Sequence, residues 1–263
     1  MAESQELFSD GAAYERMMGR WSRVAGEAFL DWLSLPNGLR CLDVGCGNGA
    51  FTEILLARCA PAKVMGLDPS EGQIAYARQR PGAQAAEFRV GGAETLPFEN
   101  ASYDAGLMAL VLVFLSDPAK AVAELTRVVR PGGWVATYMW DVPAGGVPLH
   151  PLHTVLKSLG AVTASPPNPE ISRAEAMQDL WRKGRLQSVE SRVIRIPVVF
   201  ADFDEFWEST TLPVGPQGKV IATMSPSERE RLRVLTREHL PIAADGRIAY
   251  EAFANAVKGR VPA

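Results

Sequence analysis

The sequence of 263 residues predicts a doubly wound α/β fold, in which a mostly parallel sheet carries helices on both faces. Between residues 40 and 140, short apolar runs alternate with longer amphipathic stretches, as in parallel strands joined by helices. A glycine-rich turn follows the first apolar run directly, as in nucleotide-binding folds. At this length we expect one α/β domain, or one domain with a sizeable insertion.

The period of the apolar residues defines the elements of the first half. An amphipathic helix is predicted over residues 12–34, and Pro36-Asn37-Gly38 ends it. Pro131-Gly132-Gly133 is predicted as a turn that ends a helix and begins the fifth strand. The predicted strands span 40–44, 63–67, 87–90, 103–111 and 134–140, and the helices between them lie near 51–60, 71–79 and 118–130.

The second half contributes further strands and inserted helices. Helices are predicted near 149–160, 172–184, 202–211 and 226–239, and a strand over 188–200, whereas 247–257 fits either a strand or a helix. With strands from this part, we expect a seven-stranded sheet. Helices inserted after the fifth strand lie at the carboxyl edge, where ligands bind in such sheets. We therefore predict an N-terminal lid helix in 1–35 and a main domain in 36–263, with lid segments at about 142–185 and 202–240.

Composition narrows the classes of partner and the compartment. The net charge of −3 disfavours a nucleic-acid surface, and the basic residues of 182–185 and the arginines of 229–237 are interpreted as solvated helix faces. The longest apolar run, at 106–115, is too short to span a bilayer, and the N-terminus does not resemble a signal peptide. Three cysteines without a CxxC pair predict reduced thiols in a cytoplasmic protein. His150 and His153 lack an obvious third ligand, so no metal site is predicted.

Asp43, two residues before the first glycine of the turn, indicates the charge of the ligand. A carboxylate here would repel a pyrophosphate, but it suits a ligand that carries an ammonium group and a sulfonium, such as S-adenosylmethionine. The turn also fits the dinucleotide pattern G-x-G-x-x-A as Gly45, Gly47 and Ala50. Asp68 ends the second strand, where a carboxylate accepts hydrogen bonds from ribose in either class of nucleotide. An NAD(P)-dependent oxidoreductase therefore stays an alternative.

Four ordered motifs resemble those of the class I S-adenosylmethionine-dependent methyltransferases. They are LDVGCGNG at 42–49, GLDPS at 66–70, AETLPFENASYD at 93–104 and ELTRVVRPGGWVATYMWD at 124–141. The resemblance is strongest to the small-molecule branch that includes the ubiquinone and menaquinone biosynthesis enzymes. It covers about residues 40–141, with looser matches at 14–21 and 245–248. It implies a Rossmann-like sheet and S-adenosylmethionine as cofactor.

The resemblance also implies which residues hold the methionine end of that cofactor. Asp43, with the backbone of Gly45 and Gly47, would bind it. Tyr14 and Arg20 on the N-terminal helix would close over it, and Arg20 would pair with its carboxylate.

The nucleoside end would be held by residues that follow the second, third and fourth strands. Asp68 would accept hydrogen bonds from the ribose hydroxyls, and Pro69 would pack near the adenine. Ala93 and Glu94 would lie beside the adenine edge, and Leu110 would line the floor of the site.

Two departures from the family pattern concern adenine recognition and catalysis. Gly92 stands where the family often has an acid that meets the adenine amino group. Residues 111–115 are apolar where relatives carry a histidine. The candidate bases elsewhere are His150, His153, Asp141, Glu208 and Tyr14, and the sequence singles out none of them.

The sequence thus predicts methyl transfer from S-adenosylmethionine to a small-molecule acceptor by in-line displacement. A non-catalytic protein that binds S-adenosylmethionine is a second alternative, because no base is identified. No nucleic-acid or membrane partner is expected, and the oligomeric state is left open.

Overall fold

A computed structural model describes residues 15–263, in which seven strands form one sheet. The strand order is β3-β2-β1-β4-β5-β7-β6. Every pair of neighbours is parallel except those made by β7, which runs antiparallel to β5 and to β6. The doubly wound, mostly parallel sheet is therefore confirmed. The strands are β1 (Arg40–Val44), β2 (Lys63–Asp68), β3 (Glu87–Val90), β4 (Tyr103–Ala109), β5 (Val129–Trp140), β6 (Gln187–Phe200) and β7 (Ile248–Arg260).

The helices lie near the predicted positions. A π-helical turn, Glu15–Gly19, precedes the first α-helix. The α-helices are α1 (Arg20–Leu33), α2 (Ala50–Cys59), α3 (Glu71–Gln79), α4 (Pro118–Val128), α5 (His150–Ser158), α6 (Ala174–Lys183), α7 (Phe203–Thr210), α8 (Gly215–Thr223) and α9 (Pro226–His239). The sequence did not predict α8, whose two glycines and proline lower its helix propensity.

Two predicted strand boundaries were wrong, and one segment had been left open between strand and helix. Residues 131–133 lie within β5 and not in a turn before it, because α4 ends at Val128 and pairing with β4 begins at Val129. The irregular register beside Tyr103 and the positive φ of Gly132 accommodate these residues. Strand β4 ends at Ala109 and not at 111, because Leu110 takes a positive φ. The undecided segment is strand β7, which has a partner on each side.

Helices cover both faces of the sheet, as predicted. On one face, Phe29 of α1 and Leu55 of α2 pack in the same cluster as Tyr138 of β5. On the other face, Leu125 of α4 and Trp181 of α6 share a second cluster with other sheet residues. Both clusters consist of buried residues, and the five residues named here are almost fully buried. The sheet is therefore a buried central layer that holds its strand ends in fixed positions.

Both inserted segments lie at one edge of the sheet. Since β6 is parallel to β5, the segment 141–173 after β5 and the segment 201–247 after β6 begin at the carboxyl edge. They are tied together by contacts between α5 and α9, and the first segment is also tied to β7, because the Tyr250 hydroxyl donates to the Pro148 carbonyl oxygen at 2.7 Å. The loops after β1, β2 and β4 meet at this edge too. Within residues 15–263, no helix has the length and apolar character needed to cross a membrane.

Candidate functional site

The glycine loop, residues 45–49, connects β1 to α2 at the carboxyl edge. Gly45, Gly47 and Gly49 have φ values of +74°, +51° and +79°, a region that other residues rarely adopt. A Cβ on Gly45 would lie 2.4 Å from a Val111 methyl carbon, whereas a Cβ on Gly47 would have no described heavy atom within 4 Å. The loop is thus closely packed at its first glycine and open at its second.

We expect Gly45→Ala to lower the free energy of unfolding by roughly 1–3 kcal/mol more than Gly38→Ala. Both glycines have a positive φ, but a Cβ on Gly38 would meet no atom of the described chain within 4 Å. The two variants therefore share the backbone strain, and only the first adds the clash with Val111. Urea unfolding of both proteins measures the difference, and equal losses would contradict this packing argument.

Asp68, at the end of β2, joins this loop to the start of α3. Its Oδ2 accepts a hydrogen bond from the Gly47 amide and its Oδ1 accepts one from the Ser70 amide, each at 2.9 Å. Burial raises the pKa of Asp68, although the two amides favour its charged form. The side chain stays partly exposed at the edge of the sheet, beside Pro69. Asp68 can therefore accept further hydrogen bonds from a ligand on its open side.

Asp43 is fully buried in β1, below the glycine loop. Its Oδ2 accepts a hydrogen bond of 2.6 Å from the Thr52 hydroxyl, but its Oδ1 has no hydrogen-bond partner among residues 15–263. Burial raises the pKa of Asp43 to about 7. A buried carboxylate with an unpaired oxygen costs free energy, and an adjacent cation would offset that cost.

The loop after β3 contains Gly92, Ala93 and Glu94. Ala93 is buried, and a Cβ on Gly92 would approach only the Oε2 atom of Glu94, at 3.8 Å, among the described atoms. Oε1 of Glu94 accepts hydrogen bonds from the Ser116 amide and hydroxyl, at 3.1 and 2.9 Å, and from the Asp117 amide. Glu94 thus ties this loop to the loop after β4, and the space beside Gly92 stays open. Partial burial of Glu94 favours its neutral form, but the hydrogen bonds to its charged form outweigh that effect. The pKa of Glu94 is therefore lower than usual.

Leu110 lies directly after β4, with a φ of +61°. Its amide donates to the Tyr138 carbonyl oxygen at 2.9 Å, which fixes this conformation. A branched residue in the left-handed region is strained, and such strain concentrates at functional sites. The neighbouring Val111 is the residue that faces Gly45, and the role of Leu110 in lining the floor of the site stays a prediction.

Of the two predicted site residues on the N-terminal helix, the structure describes only Arg20. Tyr14 lies outside the described residues. Arg20 pairs with Glu205 of α7 at 3.0 Å, and its guanidinium carbon lies 4.5 Å from the ring centroids of Trp21 and Phe200. The structure therefore places Arg20 against the end of β6 and the inserted segment after it. Among the described residues, Arg20 makes no ion pair or hydrogen bond with the glycine loop.

The candidate bases have other surroundings. Asp141 accepts hydrogen bonds from the Ala144 amide at 3.1 Å and from the Asn255 side chain at 2.8 Å, so both oxygens hold the chain together. Burial lowers the pKa of His153 to about 4. Within the described part of the chain, no cluster of three or more His, Cys, Asp and Glu residues is arranged to hold a metal ion.

Sequence reasoning missed a hydrogen-bonded network that connects Asn48 of the glycine loop through Glu15 to Arg80. Asn48 donates to Glu15, and Arg80 donates to Glu15 and to Glu53. Asn48 lies within the LDVGCGNG motif at 42–49, but nothing in the local sequence distinguishes Arg80 from other arginines.

Comparisons with known proteins agree with this geometry. A family model described as a methyltransferase domain matches residues 42–137. The chain is 36% identical over 121 residues to a ubiquinone/menaquinone biosynthesis C-methyltransferase of Dinoroseobacter shibae, covering 44% of this chain and 48% of the relative. It is 30% identical over 195 residues to a trans-aconitate 2-methyltransferase of an Acidovorax species, covering 72% and 64%. The chain thus spans about half of the first relative and just under two thirds of the second.

A solved structure shares the fold over nearly the whole chain. It is a phosphoethanolamine N-methyltransferase of Haemonchus contortus in complex with S-adenosyl-L-methionine, with a TM-score of 0.59 and 18% identity. The superposition covers 95% of this chain and 56% of that one. The family model and the strand order confirm the resemblance to the class I S-adenosylmethionine-dependent methyltransferases, residues 42–137 match a methyltransferase domain, and the solved structure shows the same fold.

Proposed function

We propose that this chain transfers a methyl group from S-adenosylmethionine to a small-molecule acceptor. The observation that carries the proposal is the fully buried Asp43, whose Oδ1 is unpaired among the described residues, below a glycine loop that is open at Gly47. The ammonium group of the cofactor would supply the missing cation. A dinucleotide would instead bring a pyrophosphate, which an unpaired carboxylate would repel.

For the methionine end, we propose Asp43 together with the backbone of Gly45 and Gly47. The lack of a side chain at Gly47 leaves room for close approach to the backbone. Tyr14 and Arg20 stay predictions as residues that close over this end. For Arg20, the ion pair with Glu205 would have to open or be shared.

For the nucleoside end, we propose Asp68, Pro69, Ala93, Glu94 and Leu110. Asp68 would accept hydrogen bonds from the ribose hydroxyls on the side away from its two backbone donors. The open space beside Gly92 would take the adenine edge, with Oε2 of Glu94 facing it. Glu94 would thus replace the acid that the family often has at Gly92.

We propose that the N-terminal segment 1–35, with parts of the segments 142–185 and 202–240, acts as the lid of the main domain, 36–263. Both inserted segments begin at the carboxyl edge, and Trp140, Phe203 and Trp207 are buried members of the same large apolar cluster as Phe29 and Tyr138. These aromatic side chains favour an apolar or aromatic acceptor. One relative is named for ubiquinone/menaquinone biosynthesis and the other for trans-aconitate, so the acceptors to be tested include both quinols and carboxylic acids.

The bound cofactor would supply a methyl group already activated by its positively charged sulfur. The protein's own residues then have to align the acceptor with it and exclude water, and such positioning contributes up to roughly 7–11 kcal/mol. An acceptor that is already deprotonated needs no base, whereas a phenol would need one, for which His150, Glu208 and Tyr14 stay candidates.

We also propose a cytoplasmic location without nucleic-acid or membrane partners. Cys41, Cys46 and Cys59 are buried free thiols, as expected in a reducing compartment. The net charge of −3 argues against a phosphate-tracking surface.

Calorimetric titration with S-adenosylhomocysteine, and separately with NADH, tests the cofactor. We expect the first to bind and the second not to, and the opposite result would favour the oxidoreductase alternative. Methyl-labelled S-adenosylmethionine, incubated with panels of quinol, phenol and carboxylic-acid acceptors, then tests the reaction by mass spectrometry. Binding of S-adenosylhomocysteine without labelled product from any acceptor would favour the non-catalytic alternative.

A further inference from the structure

The π-helical turn Glu15–Gly19, which we call the strap, is fixed by an arginine that is distant in sequence. Arg80 follows the last turn of α3, and its side chain is only 11% exposed. Its two terminal nitrogens donate to the carboxylate of Glu15 at 3.2 and 3.4 Å, and its Nε donates to Glu53 in the first turn of α2. One guanidinium thus connects the strap, α2 and α3.

The strap also contacts the glycine loop directly. The side-chain amide of Asn48 donates to Oε2 of Glu15 at 3.2 Å, while its Oδ1 accepts a hydrogen bond from the Ala50 amide at the start of α2. Glu15 therefore lies between Arg80 and the loop that carries Gly47. At its other end the strap leads into Arg20, which pairs with Glu205 of the inserted segment.

Two glycines make room for the carboxylates that Arg80 holds. A Cβ on Gly19 would lie 2.8 Å from Cδ of Glu15, and a Cβ on Gly82 would lie 2.3 Å from Oε1 of Glu53. In both cases the crowded atom is the end of a flexible side chain, so a methyl group would displace the carboxylate and leave the backbone in place. Gly19 has helical dihedral angles that alanine also adopts. Gly19→Ala should therefore separate Glu15 from Arg80 without disturbing the helix.

We infer that Arg80 is a positioning residue for cofactor retention: it holds the strap against the glycine loop through Glu15. This inference rests on the proposed function. Without the guanidinium, the carboxylates of Glu15 and Glu53 would face each other unneutralised, and the strap would lose its attachment beside the loop. The planar fork of arginine can bind two carboxylates at once, which a lysine ammonium does less well. A π-helical turn is a rare feature that is frequent at functional sites, which fits a strap that has to open.

Stopped-flow measurement of the dissociation rate of S-adenosylhomocysteine tests this role. We expect Arg80→Gln and Gly19→Ala each to speed dissociation about tenfold, as for the loss of a partly exposed charge-assisted hydrogen bond. Arg80→Lys should restore part of the loss. Arg58→Ala is the control, because Arg58 of α2 likewise pairs with a carboxylate of another helix, Asp31 of α1, and has no ion pair with the glycine loop among the described residues. We expect its dissociation rate to stay within twofold of the wild type.

Gly19→Ala distinguishes positioning from a general stabilising effect. Alanine favours helix over glycine, so this variant should unfold at the same temperature as the wild type or higher, yet release the ligand faster. Dissociation rates of Gly19→Ala and Arg80→Gln within twofold of the wild type would overturn the inference, as would equal changes in Arg58→Ala. If the wild type does not bind S-adenosylhomocysteine at all, both the proposed function and this inference are wrong. If the wild type binds it and the variants release it at the wild-type rate, only this inference is wrong.

Discussion

Asp68→Ala is expected to weaken the binding of S-adenosylhomocysteine at least a hundredfold. The carboxylate already bonds to the Gly47 and Ser70 amides, and we propose that it also accepts hydrogen bonds from two ribose hydroxyls. Hydrogen bonds to a charged group contribute roughly 1.5–3 kcal/mol each, so losing two costs a factor of a hundred or more. The variant also releases the glycine loop from β2, which adds to the loss. Calorimetric titration of wild type and variant measures the ratio of dissociation constants.

Ser70→Ala is the matched control for the structural part of that effect. Ser70 caps α3 by accepting a hydrogen bond from the Gln73 amide, two residues away from Asp68. Its removal should lower stability by about 1 kcal/mol and change the affinity less than threefold. If Asp68→Ala binds as tightly as the wild type, or Ser70→Ala loses as much affinity, Asp68 does not bind the ribose.

The first half of the fold could be predicted because local pattern and global structure agree there. The strands 40–44 and 87–90 have the predicted bounds, since each is a short apolar or alternating run between clear breakers. The predicted start of β5 was wrong because Pro131 and Gly132 usually break strands. Here the register shift between β4 and β5, and the Gly132 amide bound to Val261, keep them in the sheet. Only the pairing with distant strands could have shown this.

Long-range partners also explain why part of the candidate site could not be predicted. Asp43, Gly47 and Asp68 belong to motifs whose spacing is set by one strand-turn-helix unit and the next strand, so a local pattern is enough. Arg80 acts on Glu15, 65 residues away, and on Glu53, 27 residues away, and neither separation has a periodic signature. The positive φ of Leu110 is likewise imposed from outside its own segment, by the carbonyl group of Tyr138 in β5.

Asp43→Asn is expected to make the unliganded protein relatively more stable at high pH. In an unfolded chain the pKa of aspartate is about 3.9, whereas burial raises the pKa of Asp43 to about 7 in the folded protein. Between these values the folded state binds a proton that the unfolded state has lost, so the contribution of Asp43 to stability falls as pH rises toward 7. From pH 5 to pH 8 this loss is roughly 2–3 kcal/mol, and asparagine does not undergo it.

Urea unfolding of wild type and Asp43→Asn at pH 5 and pH 8 measures that difference, and the pH dependence of all other groups cancels in it. The asparagine side chain would keep an oxygen for the Thr52 hydroxyl, so the change is confined to the charge and to the atom that replaces Oδ1. A difference in unfolding free energy that is the same at both pH values would show that Asp43 is ionised throughout this range.

Ligand binding should respond to pH in the opposite direction, and this links the buried charge to function. If Asp43 meets the ammonium group of the ligand, it has to be ionised in the complex, so the proton that it holds below pH 7 must leave on binding. The affinity of the wild type for S-adenosylhomocysteine should then fall by up to about tenfold per pH unit below 7. Asp43→Asn should bind more than tenfold more weakly at pH 8 and should lack this pH dependence, because it carries no titrating group there. If Asp43→Asn is more stable than the wild type at pH 8 but binds the ligand less well, the buried carboxylate costs stability and serves ligand binding. If binding by the wild type does not depend on pH, Asp43 does not pair with the ammonium group.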